Sequence, residues 1–181
     1  SIVFTYAGAA HPPDAWRMSL TDRSLQQLTD SLPTSIDRSV FVAPTHVWYP
    51  SLDEGVQVPA LWYTPKNLSA DRKPPAILYV HGGPTGHSSD ALNPQIQFFC
   101  TQGFHVLDPN YRGSTGFSLA FREAIKADGW GGREQEDIRS GIESLIAAGI
   151  AHRGKVGITG TSYGGYSAWW AITHFPPEVV A

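Results

Sequence analysis

Gly160-Thr161-Ser162-Tyr163-Gly164 sets a serine between two glycines, after the apolar run Val156–Thr159 and before an apolar, helix-like stretch. That spacing suits a chain turning sharply from strand to helix. The turn lifts the serine oxygen clear of the backbone, and side chains at the flanking positions would clash. The chemistry implied is attack by the Ser162 hydroxyl on a carbonyl, through an acyl-enzyme. Roughly 0.15 such matches are expected by chance in a chain this rich in glycine, so the flanking strand and helix carry the inference. His81-Gly82-Gly83-Pro84 directly follows another apolar run, Ala76 to Val80. In a site of this kind, a loop after a neighbouring strand gives one N–H to the developing oxyanion, and the residue after the nucleophile gives the other. Gly83 and Tyr163 are therefore the predicted backbone donors, each worth roughly 3 kcal/mol of transition-state stabilisation. His81 is read as a brace for this loop.

Asp108-Pro109-Asn110-Tyr111-Arg112-Gly113-Ser114-Thr115-Gly116 also follows a strand-like run, which puts it at the carboxyl edge of a sheet, where ligands bind. Arg112 is the candidate substrate-binding residue there, as a grip for a carboxylate; the competing reading, which we favour, pairs it with an internal acid. Trp169 and Trp170, with Tyr163 and Tyr166, are read as core packing. Cys100, beside Phe98 and Phe99, is read as a buried small apolar side chain.

The elements that must position these groups follow from periodicity. Ile2 to Ala7 and Ala15 to Leu20 read as short strands around a loop at 8–14, followed by a turn at 21–24 and Leu25 to Thr29. From about residue 43 the pattern changes. Thr45 to Tyr49 and Val56 to Tyr63 read as paired strands joined across Asp53-Glu54-Gly55. Ala76 to Val80 is continuously apolar, as in a strand buried on both faces, and Phe104 to Leu107 and Val156 to Thr159 are further strands. Ile138, Ile142, Leu145 and Ile146 fall on one helix face, with Glu134, Glu136 and Asp137 near its start and Gly149 at its end. Strands alternating with helices predict an open, mostly parallel α/β sheet over 43–181, preceded over 1–42 by the tail of a β domain.

Composition sets the outer bounds. The chain has 181 residues, 41% hydrophobic and 16% charged, so it is globular rather than disordered. A net charge of −3 gives no basic footprint and argues against a nucleic-acid partner. No apolar run approaches the roughly 20 residues of a membrane span, and no leader is visible, so the expected location is the cytoplasm. One cysteine excludes an internal disulfide. No cluster has metal-ligand spacing, so neither a metal nor an organic cofactor is expected. The apolar start at Ser1 and the stop after Phe175-Pro176-Pro177 read as cuts in a longer chain.

Taken together, HGGP, NYRGSTGF, DGWGGREQED and GTSYGGYSAWWA, in this order and spacing, resemble the prolyl oligopeptidase family of serine peptidases, within it the acylaminoacyl-peptidase and dipeptidyl-aminopeptidase branch. The likeness covers about 43–181 well. The resemblance implies the N-terminal half of an α/β-hydrolase domain, with residues 1–42 as the end of a β-propeller. It also implies a short peptide or acyl-peptide substrate and a Ser-Asp-His triad with Ser162 as nucleophile. Homo-oligomer formation is left open. In this fold the triad runs Ser, Asp, His along the chain. Only 19 residues follow Ser162, and they contain no Asp. Their one histidine, His174, lies roughly 18 Å along a helix from Ser162, whereas a general base must come within about 3 Å. Asp108, Asp128 and Asp137 precede the serine. The base and its orienting acid are therefore expected outside these residues, and the isolated chain is expected to be inactive. A carboxylesterase using the same machinery, and a binding module that has lost its triad, remain the alternatives.

Overall fold

The computed structural model describes residues 1–53, 55–66, 68, 75–177 and 179–180. Its elements are β1 (Ile2–Gly8), β2 (His11–Met18), β3 (Leu25–Gln27), β4 (Thr45–Pro50), β5 (Gln57–Tyr63), β6 (Ala76–Val80) and α1 (Pro94–Thr101). They continue with β7 (His105–Pro109), α2 (Leu119–Glu123), α3 (Arg133–Ala147), β8 (Val156–Gly160) and α4 (Tyr163–His174).

The first three strands form an antiparallel sheet in the order β1-β2-β3. The expected loop at 8–14 is shorter than its prolines suggest, because β2 already starts at His11. Pro12 and Pro13 fit a central strand because the β1 ladder slips between Tyr6 and Gly8, while β3 reaches only Trp16–Met18. The lost N–H groups fall where no ladder bond is required. Gln97 on α1 joins this sheet to the rest of the chain. Its amide donates to the carbonyls of Ala9 and Val42 at 3.0 and 2.8 Å and accepts from the Val42 N–H at 2.9 Å.

The second sheet has the order β4-β5-β7-β6-β8. The hairpin β4-β5 and the pair β5-β7 are antiparallel; β6 pairs in parallel with β7 and β8. In the β4-β5 turn, Glu54 lies outside the described residues. The unbroken apolar run of β6 is explained by cover on both faces. Leu78 and Val80 join Leu107, Ile138, Ile142 and Leu145 on the α3 side, while Ile77 joins Val106, Ile96 and Cys100 on the α1 side. β7 begins one residue later than its sequence pattern suggests, since the Phe104 N–H bonds the Phe99 carbonyl and completes the exit from α1. Helix α3 ends as read, with Gly149 at φ 69° beyond it. Among the described residues β8 lies at one edge of this sheet, and no helix is long and apolar enough to cross a membrane.

Ile142 is fully buried where α3 crosses the sheet. In the complete protein Ile142→Ala is expected to cost about 2–5 kcal/mol, read as a lowered denaturant midpoint. A midpoint unchanged from wild type would contradict this packing.

Candidate active site

The turn between β8 and α4 is built around a steric constraint. A Cβ at either Gly160 or Gly164 would collide with the carbonyl oxygen of Val80, at the end of β6. Only glycine lets the turn approach that closely. Between them Ser162 takes φ 58° and ψ −118°, a left-handed conformation that costs a non-glycine residue about 1–3 kcal/mol. Gly164 N–H to Thr161 O and Tyr166 N–H to Ser162 O, each 3.0 Å, lock the turn into the helix. The result is an exposed Ser162 side chain at the carboxyl edge of the sheet.

The loop after β6 lies against it. An ideal Cβ on Gly82 would stand 3.3 Å from the Ser162 Cβ and 3.9 Å from its Oγ. Among the described residues, neither the Gly83 N–H nor the Tyr163 N–H donates to a protein acceptor. Both N–H groups are thus unspent on protein acceptors; Tyr163 directly follows Ser162, and Gly83 follows the Gly82 that lies against it. A cavity of about 460 Å³ opens beside Gly82 and Thr161, with Tyr63, Tyr79 and Asp108 in its walls.

His81 braces this loop as expected. Its Nδ1 lies 2.8 Å from the Gly82 carbonyl, its Nε2 lies 2.9 Å from Ser114 Oγ, and its ring stacks on Tyr111 at 4.5 Å. Burial holds its pKa below the ordinary histidine value. The segment after β7 supplies the other side of the clamp. Tyr111 donates its hydroxyl to the His81 carbonyl at 2.9 Å, Asn110 Oδ1 accepts the Ser88 N–H at 2.7 Å, and the Thr115 N–H bonds Gly86 O at 2.8 Å.

Arg112 does not face the cleft, which corrects the substrate-binding expectation. It is 3% exposed, and its guanidinium donates to Asp137 at 2.8 and 2.6 Å, to Asp53 at 2.7 Å and to Ser51 at 3.3 Å. Burial opposes its charge, but the bonds to Asp137 and Asp53 outweigh that and hold it above its ordinary range. The pairing with an internal acid is the arrangement found. Trp169 departs from the core reading as well, being 73% exposed. Helix α4 turns Tyr163, Gly164, Ser167 and Ala171 inward instead, and at 164 the close approach to Val80 admits only glycine. Cys100 is buried as expected, and His174 stacks on Trp170 at 3.7 Å, at the far end of α4.

Two site residues were invisible to sequence reasoning. Asn110 sits inside a motif where only Arg112 drew a role. Glu134 showed itself only as an acid near a helix start, yet it is buried and accepts the Tyr163 hydroxyl at 2.7 Å.

The sheet order, the turn at Ser162 and the loop beside it define the first half of an α/β-hydrolase domain. Residues 91–178 match the prolyl oligopeptidase family. The chain is 28% identical over 173 residues to dipeptidyl-peptidase 5 of Porphyromonas gingivalis, covering 94% of this chain and 25% of that protein. It superposes on a Mycobacterium tuberculosis puromycin-hydrolyzing peptidase with a TM-score of 0.85 at 29% identity, covering 95% of this chain and 27% of the other. For the Pyrococcus horikoshii acylaminoacyl peptidase the TM-score is 0.76 at 29% identity, with the same two shares of 95% and 27%. The chain belongs to the prolyl oligopeptidase family, and it spans about a quarter of the length of these relatives.

Asp108 gives a pH test of this site. It is 3% exposed, its carboxylate accepts from Ser88 Oγ at 2.5 Å, and burial pushes its pKa up from 3.8 to about 7 against that bond. Between about pH 4 and 7 the unfolded chain has therefore lost a proton that the folded one keeps. Stability from this group falls as pH rises through that window and is level above it. In the complete protein Asp108→Asn is expected to remove a slope on the order of 4 kcal/mol, seen as unfolding midpoints that rise relative to wild type from pH 4 to pH 8. Parallel pH profiles would contradict it.

Proposed function

We propose that the complete protein is a serine peptidase acting on short peptides or N-acylated peptides. In this reading the Ser162 oxygen attacks the scissile carbonyl and a new C–O bond forms. The C–N bond then breaks, the serine proton passes through the general base to the departing amine, and water cleaves the resulting ester. The N–H groups of Gly83 and Tyr163 stabilise the negative oxygen of each tetrahedral intermediate. The observation that carries the reading is the placement of a strained, exposed Ser162 against Gly82, with those two donors free. The relatives' names, dipeptidyl-peptidase and acylaminoacyl peptidase, support a peptide substrate. The general base and its acid come from chain beyond these residues. His174 is bound up with Trp170, and Asp137 is committed to Arg112. A hydroxyl without its base is a weak nucleophile, so the 181-residue chain alone is inactive.

The test is labelling with a fluorophosphonate and turnover of aminoacyl-nitroanilides beside simple esters. The complete protein is expected to be labelled at Ser162 and to prefer the nitroanilides. Ser162→Ala should lower kcat by about 10⁴-fold or more. Brisk labelling of the isolated chain would overturn its proposed inactivity, and an unlabelled complete protein would overturn the peptidase reading.

A further inference from the structure

Glu134 is fully buried, and among the described residues no basic side chain pairs with it. Its carboxylate instead takes four neutral donors. Oε1 accepts the Gly131 N–H at 2.5 Å, the Tyr163 hydroxyl at 2.7 Å and Gln135 Nε2 at 3.2 Å; Oε2 accepts the Gly132 N–H at 2.9 Å. A buried carboxylate costs several kcal/mol unless its lone pairs are met. Capping α3 alone would need no buried charge, since an exposed Asp or Ser at the helix start does the same. What the burial adds is reach. The carboxylate joins the start of α3 to the first residue of α4, the one directly after Ser162.

The surroundings make that bond a rigid one. The Tyr163 ring stacks near Tyr111 at 6.0 Å and meets Trp130 edge-on at 5.6 Å and Tyr166 at 5.2 Å. Gly131 is pressed so closely to α4 that a Cβ there would stand 2.6 Å from both the Trp170 ring and the Tyr166 hydroxyl. A second link, Gln135 Nε2 to Ser167 Oγ at 3.0 Å, ties the same two helices one turn further on.

We infer that Glu134 is a positioning residue for acyl transfer: by holding the Tyr163 hydroxyl it fixes the Tyr163 backbone N–H in register with Ser162. The inference rests on the serine-peptidase reading above. An oxyanion donor acts through its placement, which must hold before charge develops. Loosening the Tyr163 side chain lets the first turn of α4 shift, and the transition state suffers more than bound substrate.

The experiment uses the complete protein carrying Glu134→Gln, Tyr163→Phe, both together, and Ser167→Ala. The readouts are kcat and KM for an aminoacyl-nitroanilide, the affinity for a peptidyl boronate that forms a tetrahedral adduct on the serine, and the affinity for the peptide product. Glu134→Gln and Tyr163→Phe should each lower kcat and boronate affinity about tenfold, less than the loss of a whole oxyanion donor. KM and product affinity should stay within about twofold, and the double variant should be no worse than the weaker single one. Ser167→Ala should lower the unfolding midpoint and leave the boronate-to-product ratio unchanged. Tyr163→Phe keeps the carboxylate and its two amides, so it decides the matter if Glu134→Gln does not fold. An unchanged boronate-to-product ratio in Tyr163→Phe overturns the positioning role. Wild-type protein that neither turns over substrate nor binds the boronate overturns the peptidase reading beneath it.

Discussion

The contact between the turn at Ser162 and the Val80 carbonyl governs the rest of this structure. β6 ends where that oxygen sits, and Gly160 and Gly164 leave no atoms in its way. One consequence is that α4 starts close against the sheet; its buried residues after Tyr163 are Gly164, Ser167 and Ala171. Trp169 and Ile172 point outward, while Trp170 packs partly against the core. Another consequence is proximity by connectivity. The loop carrying Gly82 and Gly83 begins at the same strand end, so the chain delivers it beside Ser162, where the segment after β7 then holds it. The strain at Ser162 is sustained because strand, helix and bordering carbonyl over-determine the turn.

Three buried acids lie on β7 and α3, and the fold meets each in a different way. Asp137 is fully buried and paired, with Arg112 donating from its Nε, its terminal nitrogen and its backbone N–H. Glu134 is met by neutral donors that join two helix starts. Asp108 is met by a single hydroxyl and keeps its proton up to about pH 7. Desolvation is the common cost, and the number and charge of donors in reach decide the response. The segment from Asp108 to Thr115 serves both strategies. Its arginine is spent inward, while Asn110, Tyr111, Ser114 and Thr115 hold the loop from His81 to Ser88.

The first sheet is more than an appendage in sequence. Gln97, buried on α1, bonds both Ala9 and Val42, and Ala9 and Val42 pack in the same apolar cluster as Ile77 and Ile96. A polar side chain that meets three backbone groups at once is costly to remove, because each would be left unpaired. The change of pattern near residue 43 therefore marks a change of architecture across a tied joint.

Much of the site was legible in one dimension. The turn at Ser162, the glycine loop and the alternation of strand and helix are local patterns, set by which backbone conformations glycine permits and which faces must be apolar. Ile138, Ile142 and Leu145 could be placed on a buried face by spacing alone, and Gly149 at the helix end by its need for positive φ. The fate of charge and of large aromatics was decided only in three dimensions. Arg112 could be given either a carboxylate to grip or an internal acid as partner, and only the fold showed that the partner is Asp137, 25 residues away. Glu134 resembled any acid at a helix start until the fold brought Tyr163, 29 residues away, within 2.7 Å. Trp169 read as core, yet the fold leaves it exposed. Periodicity records which face is apolar, but a polar group's partner is fixed by which distant segments the sheet order brings together.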